Sequence, residues 1–163
     1  MTKERTIFLA ILLPSLILIF GALIYTSYVA TGQWNATLPN VARNISLLCP
    51  FPFGLWLALK WPGNHTVAYL LIGLCIGLIG TVAYKVILNM AYGPAVRPVP
   101  TALVTAAWMS IISTYLLLST ILFAVGGIVG DALEGRMKEE WVTPLIGLAT
   151  ALITALGALF GIA

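Results

Sequence analysis

Gly126-Gly127-Ile128-Val129-Gly130-Asp131-Ala132-Leu133-Glu134-Gly135-Arg136-Met137-Lys138-Glu139-Glu140-Trp141 is the stretch that decides how this chain is threaded. It holds four of the five acidic residues and two of the eight basic ones. Uncharged apolar runs flank it, from Thr101 to Gly130 and from Trp141 to Ala163. Two such runs joined by a charged corner read as a helical hairpin, each arm near the ~20 residues that cross a hydrocarbon core.

Outward from that corner the composition stays in character. Of 163 residues 8% are charged and 61% hydrophobic, with a mean hydropathy of +1.05. Soluble domains carry about 25% charge, so this is a membrane composition. A bilayer also removes the need for a large soluble core in so short a chain. The expectation is an all-α polytopic integral membrane protein with one domain, residues 1–163, and no soluble part.

Five spans are expected, at about 6–29, 45–61, 66–92, 101–130 and 141–163. The first follows the charged start Lys3-Glu4-Arg5 and exceeds the ~7–15 apolar residues of a secretion signal, so it reads as retained. Pro14 predicts a kink in it. Residues 31–44 are polar and turn-rich and read as the longest hydrophilic loop. The second span is short and interrupted by Cys49-Pro50-Phe51-Pro52-Phe53-Gly54. It is either a kinked crossing or a segment that enters and leaves on one side. Pro62-Gly63-Asn64-His65 is a turn, and Pro94, Pro98 and Pro100 mark an extended linker. The fourth run is overlong, about 45 Å if wholly helical. Gly126, Gly127 and Gly130 read as the place where it bends or ends, with Asp131 capping whatever helix follows.

Charge placement favours five spans over four. With the amino terminus cytoplasmic and the carboxyl terminus outside, Lys3, Arg5, Lys60, Arg136 and Lys138 face inward and Arg43, Lys85 and Arg97 face outward, in line with the positive-inside rule. Interfacial aromatics mark the helix ends: Tyr25, Tyr28, Trp34, Tyr84 and Tyr92 near one surface, and Trp56, Trp61, Tyr69 and Trp141 near the other.

Several chemistries are disfavoured. The net charge is +3 with a pI near 9.0, but the cations are scattered singly and make no phosphate-tracking patch, so nucleic acid is not an expected partner. His65 is the only histidine, which rules out a histidine pair for haem within the chain. Its place in a turn reads as a surface position at the lipid boundary. The carboxylates lie far from both cysteines, so no metal site of its own is expected. Cys49 and Cys75 would differ in depth by roughly 12 Å across antiparallel helices, too far for a disulfide. Ser110, Ser113, Thr114, Ser119 and Thr120 lack a base beside them and read as hydroxyls bonded back to the preceding turn. No catalytic residue or cofactor is expected beyond bound lipid. Of the acceptor patterns at Asn35, Asn44 and Asn64, only Asn35 sits where glycosylation could occur.

What remains is packing and charge. Gly73, Gly77 and Gly80 share one helical face with Tyr84, and Gly147, Ala151 and Ala155 form a second small-residue strip; such strips admit a close helix neighbour. Lys85 shares a face with Thr81 and Asn89. With Arg43 and Arg97 it makes an acid-free outer side, fit for an anionic lipid or partner, although a Lys85 that snorkels to the headgroups is the simpler reading. Asp131, Glu134, Arg136 and Lys138 form a candidate docking corner, where Glu134–Lys138 and Arg136–Glu140 are helical i, i+4 pairs. The resulting expectation is a non-catalytic membrane subunit that packs with other transmembrane helices, in a larger complex or as copies of itself. The alternatives are a small transporter or channel built by oligomerisation and, third, a membrane enzyme using loop carboxylates.

Overall fold

The computed structural model describes residues 3–31, 37–61, 63, 65–92 and 109–134, and among these every regular element is helical. The elements are α1 (Lys3–Ala30), α2 (Thr37–Leu48), α3 (Pro50–Lys60), α4 (Thr66–Tyr92), a π-helical segment (Ile112–Leu117) and α5 (Leu118–Leu133). They build four rods long and apolar enough to cross a membrane: Lys3–Tyr28, Thr37–Lys60, Thr66–Ala91 and Met109–Leu133. The shortest has 24 residues, about 36 Å of rise against a core of roughly 30 Å. The stretch 141–163, expected as the fifth span, lies outside the described residues.

The second rod departs from expectation at its start. Residues 37–44 are helix, not loop. Pro39 is the third residue of α2, within the first turn, where a missing N–H leaves no bond unmade. Cys49 joins the two halves through its N–H to the Ile45 carbonyl at 3.1 Å. Pro50 and Pro52 then occupy the first turn of α3, so the prolines restart a helix and do not break the rod. Nor does this rod turn back on itself. Arg43 lies over the Tyr25 ring at 4.7 Å and Lys3 over Trp61 at 4.6 Å, pinning its ends to the two ends of α1. Tyr25 and Lys3 are about 33 Å apart by helical rise.

α1 stays helical through Pro14, which is fully buried. The thiol of Cys49 points to the Pro14 carbonyl at 3.6 Å. Both cysteines are free, Cys49 buried and Cys75 exposed.

Neighbours in the bundle are α1 with α2 and α4, and α5 with α3 and α4, which places α1 and α5 at opposite corners. The registers show direction. Gly73 faces Thr120 and Gly77 faces Leu116, so α4 and the last rod are antiparallel. Gly54 faces Phe123, and Gly130 faces Ala58 and Leu55, so α3 and α5 run parallel. The helix runs on through Gly126, Gly127 and Gly130, where it was expected to bend or end, to Leu133. The bare Gly126 and Gly130 let α5 lie close against α3, the way small residues admit a neighbouring helix. The core between the rods holds Leu18, Leu47, Leu57, Tyr69, Ile76 and Phe123, all fully buried.

Candidate functional site

Two groups of interacting polar and aromatic side chains lie at the two ends of the bundle. At the end where α1 begins, Tyr69 enters the interior from the first turn of α4. Its ring lies where a side chain on Gly127 would be, and its hydroxyl donates to Asp131 Oδ1 at 3.1 Å. Gly127 and Asp131 are four apart on α5 and thus share a face: one makes room for the ring and the other receives its tip. Asp131 is 1% exposed.

This placement corrects two expectations. Asp131, expected at the start of a following helix, sits in the last turn of α5, which closes with the Glu134 N–H on the Gly130 carbonyl at 3.1 Å. Of the expected docking corner, Asp131 is buried and Glu134 exposed. Tyr69, expected among the interfacial aromatics, is fully buried. Beside this pair Trp61 stacks on His65 with ring centroids 4.0 Å apart. His65 is therefore half-buried against an aromatic neighbour and not a plain surface residue.

The opposite end is cationic and aromatic, and each rod supplies one residue. Arg43 of α2 is held over Tyr25 of α1, and Tyr84 of α4 stacks on Tyr115 with centroids 4.8 Å apart. Tyr115 also lies within electrostatic reach of Arg43 and Tyr25. It belongs to the π-helical segment, whose wider turns commonly mark functional positions. That segment turns the Tyr115 and Leu116 carbonyls toward Gly77, while the Thr120 hydroxyl donates to the Leu116 carbonyl at 2.7 Å.

The glycine strip of α4 is spent inside the chain. Gly73 meets Thr120 and Phe123, Gly77 meets Leu116, and Gly80 lies between Leu18 and Tyr115. Lys85 is exposed on α4, as is Asn89, and Thr81 bonds back to the Gly77 carbonyl at 2.8 Å. Arg97, Arg136, Lys138, Gly147, Ala151 and Ala155 lie outside the described residues. On the flank of α1 and α2 an apolar groove of about 620 Å³ runs past Ile17, Ile45, Leu48 and Pro52.

Sequence reasoning missed Tyr69 as an interior residue and Tyr25, Tyr84 and Tyr115 as a group. The first was legible only as the small-residue spacing Gly127–Gly130 next to an acid. The second left no local signal, since its members come from three separate rods. Among the described residues no cluster of three or more His, Cys, Asp or Glu could hold a metal ion. Comparison with known proteins finds no family model, no curated protein and no solved structure that matches the chain.

Proposed function

We propose that the chain is a non-catalytic integral membrane subunit that packs with other transmembrane helices, as an accessory part of a larger membrane complex or as a homo-oligomer. The observation that carries this reading is how the bundle spends its small and polar residues. Gly54, Gly73, Gly77 and Gly126 seat the rods on one another's backbone, which makes a tight, dry frame. The hydroxyls of Ser15, Thr26, Thr81 and Thr120 each donate to a carbonyl one turn back, the structural use of such groups in apolar helices. Outward, α4 presents Val67, Leu71, Val82 and Val86, each more than half exposed, a surface for lipid or for another helix. The five-span threading belongs to the same proposal, with the amino terminus cytoplasmic and residues 141–163 crossing last.

Native mass measurement of the protein extracted in mild detergent tests this. A fixed-stoichiometry complex with larger membrane proteins, or a discrete homo-oligomer, is the expected result. A monomer at all concentrations refutes it. A homo-oligomer that also carries solute into liposomes would favour the transporter alternative.

A further inference from the structure

The end of the bundle bearing Arg43 holds buried polar atoms without a hydrogen-bond partner among the described residues. Tyr115 is 3% exposed, and its hydroxyl has no hydrogen-bond partner among the described residues. The Nε of Arg43 and the amide oxygen of Asn44 are likewise buried and without a partner there. Buried polar groups are nearly always satisfied, and an arginine inside a membrane-spanning rod is costly unless something pairs with it. Three such atoms at one end of a bundle therefore mark a place built for something else.

Among the described residues no acidic side chain can supply it. Glu4 is 21 residues below Tyr25 on α1, about 31 Å by rise, and Asp131 and Glu134 are about 24 and 28 Å from Tyr115 along the last rod. The acceptor comes from outside the described residues.

We infer that Arg43 and Tyr115, walled by Tyr25 and Tyr84, bind a phosphate-type oxyanion that enters at this end of the bundle. The guanidinium supplies a planar fork of donors suited to paired oxygens, and the phenol of Tyr115 supplies a further donor. Tyr25 holds the guanidinium by cation–π contact, and the Tyr84 ring fixes that of Tyr115. The anion is either the headgroup of an anionic lipid or free in solution. The site stands independently of whether the protein is a subunit or a carrier.

The test compares wild-type protein with Arg43→Gln, Tyr115→Phe and, at the far end, Lys60→Gln. Each is placed in nanodiscs of phosphatidylcholine with or without phosphatidylglycerol, and retained lipid is counted by native mass spectrometry. In a second arm, thermal unfolding in phosphatidylcholine alone is followed as inorganic phosphate is added. Loss of a charge-assisted donor predicts a fall in anion affinity of about tenfold or more for Arg43→Gln, and about threefold or more for Tyr115→Phe; Lys60→Gln should match wild type. Tyr115→Phe keeps its ring against Tyr84, so it reports on binding even where Arg43→Gln folds poorly. Response to phosphatidylglycerol alone identifies a lipid headgroup, and response to phosphate identifies a free anion. Equal affinity across all four proteins, or equal loss in Lys60→Gln, overturns the site and leaves Arg43 to a partner protein's carboxylate.

Discussion

Gly126→Ala is the sharpest test of the interface that makes α3 and α5 one unit. A methyl group there would overlap the Phe51 carbonyl oxygen and lie 3.0 Å from the Leu55 nitrogen. Both are backbone atoms of a helix, so neither can swing aside; α3 and α5 must separate along their whole contact. Overpacking of this kind costs about 1–3 kcal/mol, while alanine's better helix propensity returns at most about 1 kcal/mol. The net expectation is a loss of about 1–2 kcal/mol. Gly80→Ala is the internal control. Its methyl would lie 3.3 Å from Leu18 Cδ1 and 3.4 Å from Tyr115 Cδ1, both side-chain atoms that can yield by a few tenths of an ångström. There the propensity gain should leave stability unchanged or slightly raised. Equilibrium unfolding in mixed micelles of dodecyl sulfate and a mild detergent, followed by tryptophan fluorescence, ranks the two. If Gly126→Ala unfolds with wild type, or Gly80→Ala is the more damaged, the packing argument is wrong.

Three further outcomes are expected. Tyr69→Phe should cost about 1–1.5 kcal/mol, toward the upper range for hydrogen bonds between membrane helices because the acceptor is a carboxylate. That loss should shrink by at least half in an Asp131→Asn background, and an undiminished loss would show that the two are not coupled. In a Cys49→Ala, Cys75→Ala background expressed in intact cells, Thr31→Cys should react with a membrane-impermeant maleimide and Lys60→Cys should not. The reverse pattern would invert the proposed direction, and labelling of both would break the two-ended threading. In the unmodified protein in detergent, exposed Cys75 should be alkylated well before buried Cys49, which mass spectrometry of the digested protein resolves. Simultaneous alkylation would mean that the α1–α2 contact around Pro14 is not formed.

The helical class and the helices long and apolar enough to cross a membrane were legible because they depend on sums: apolar length, scarcity of charge, and proline-marked turns. The glycine strip of α4 was legible as a packing face because its spacing is local to one helix. Its partner was not, since Gly73 and Gly77 find Thr120 and Leu116 across a linker that carries no register information. The glycines at 126, 127 and 130 show the same limit from the other side. Near a charged corner, three glycines suit a helix end as well as a close contact, and only the presence of Gly54 and Ala58 on a parallel neighbour decides between them. The start of α2 was missed for a related reason. Polar residues around Pro39 resemble a loop, yet a proline in a first helical turn is also what a helix start requires.

The two ends of the bundle obey one electrostatic rule with opposite results. Where α1 begins, the buried acid Asp131 receives the Tyr69 hydroxyl from across the interior, on an α5 face that Gly127 opens for that ring. At the other end stands a cation over the Tyr25 ring, with the stacked Tyr84–Tyr115 pair nearby; Glu4, Asp131 and Glu134, the acids among the described residues, are each more than a half-bilayer away by helical rise. Packing alone does not account for this arrangement: the Arg43 Nε and the Tyr115 hydroxyl are buried with no hydrogen-bond partner among the described residues, whereas buried polar groups are nearly always satisfied. The guanidinium there is therefore best explained by what it binds, at the end of the molecule whose unbalanced cations the sequence had already marked.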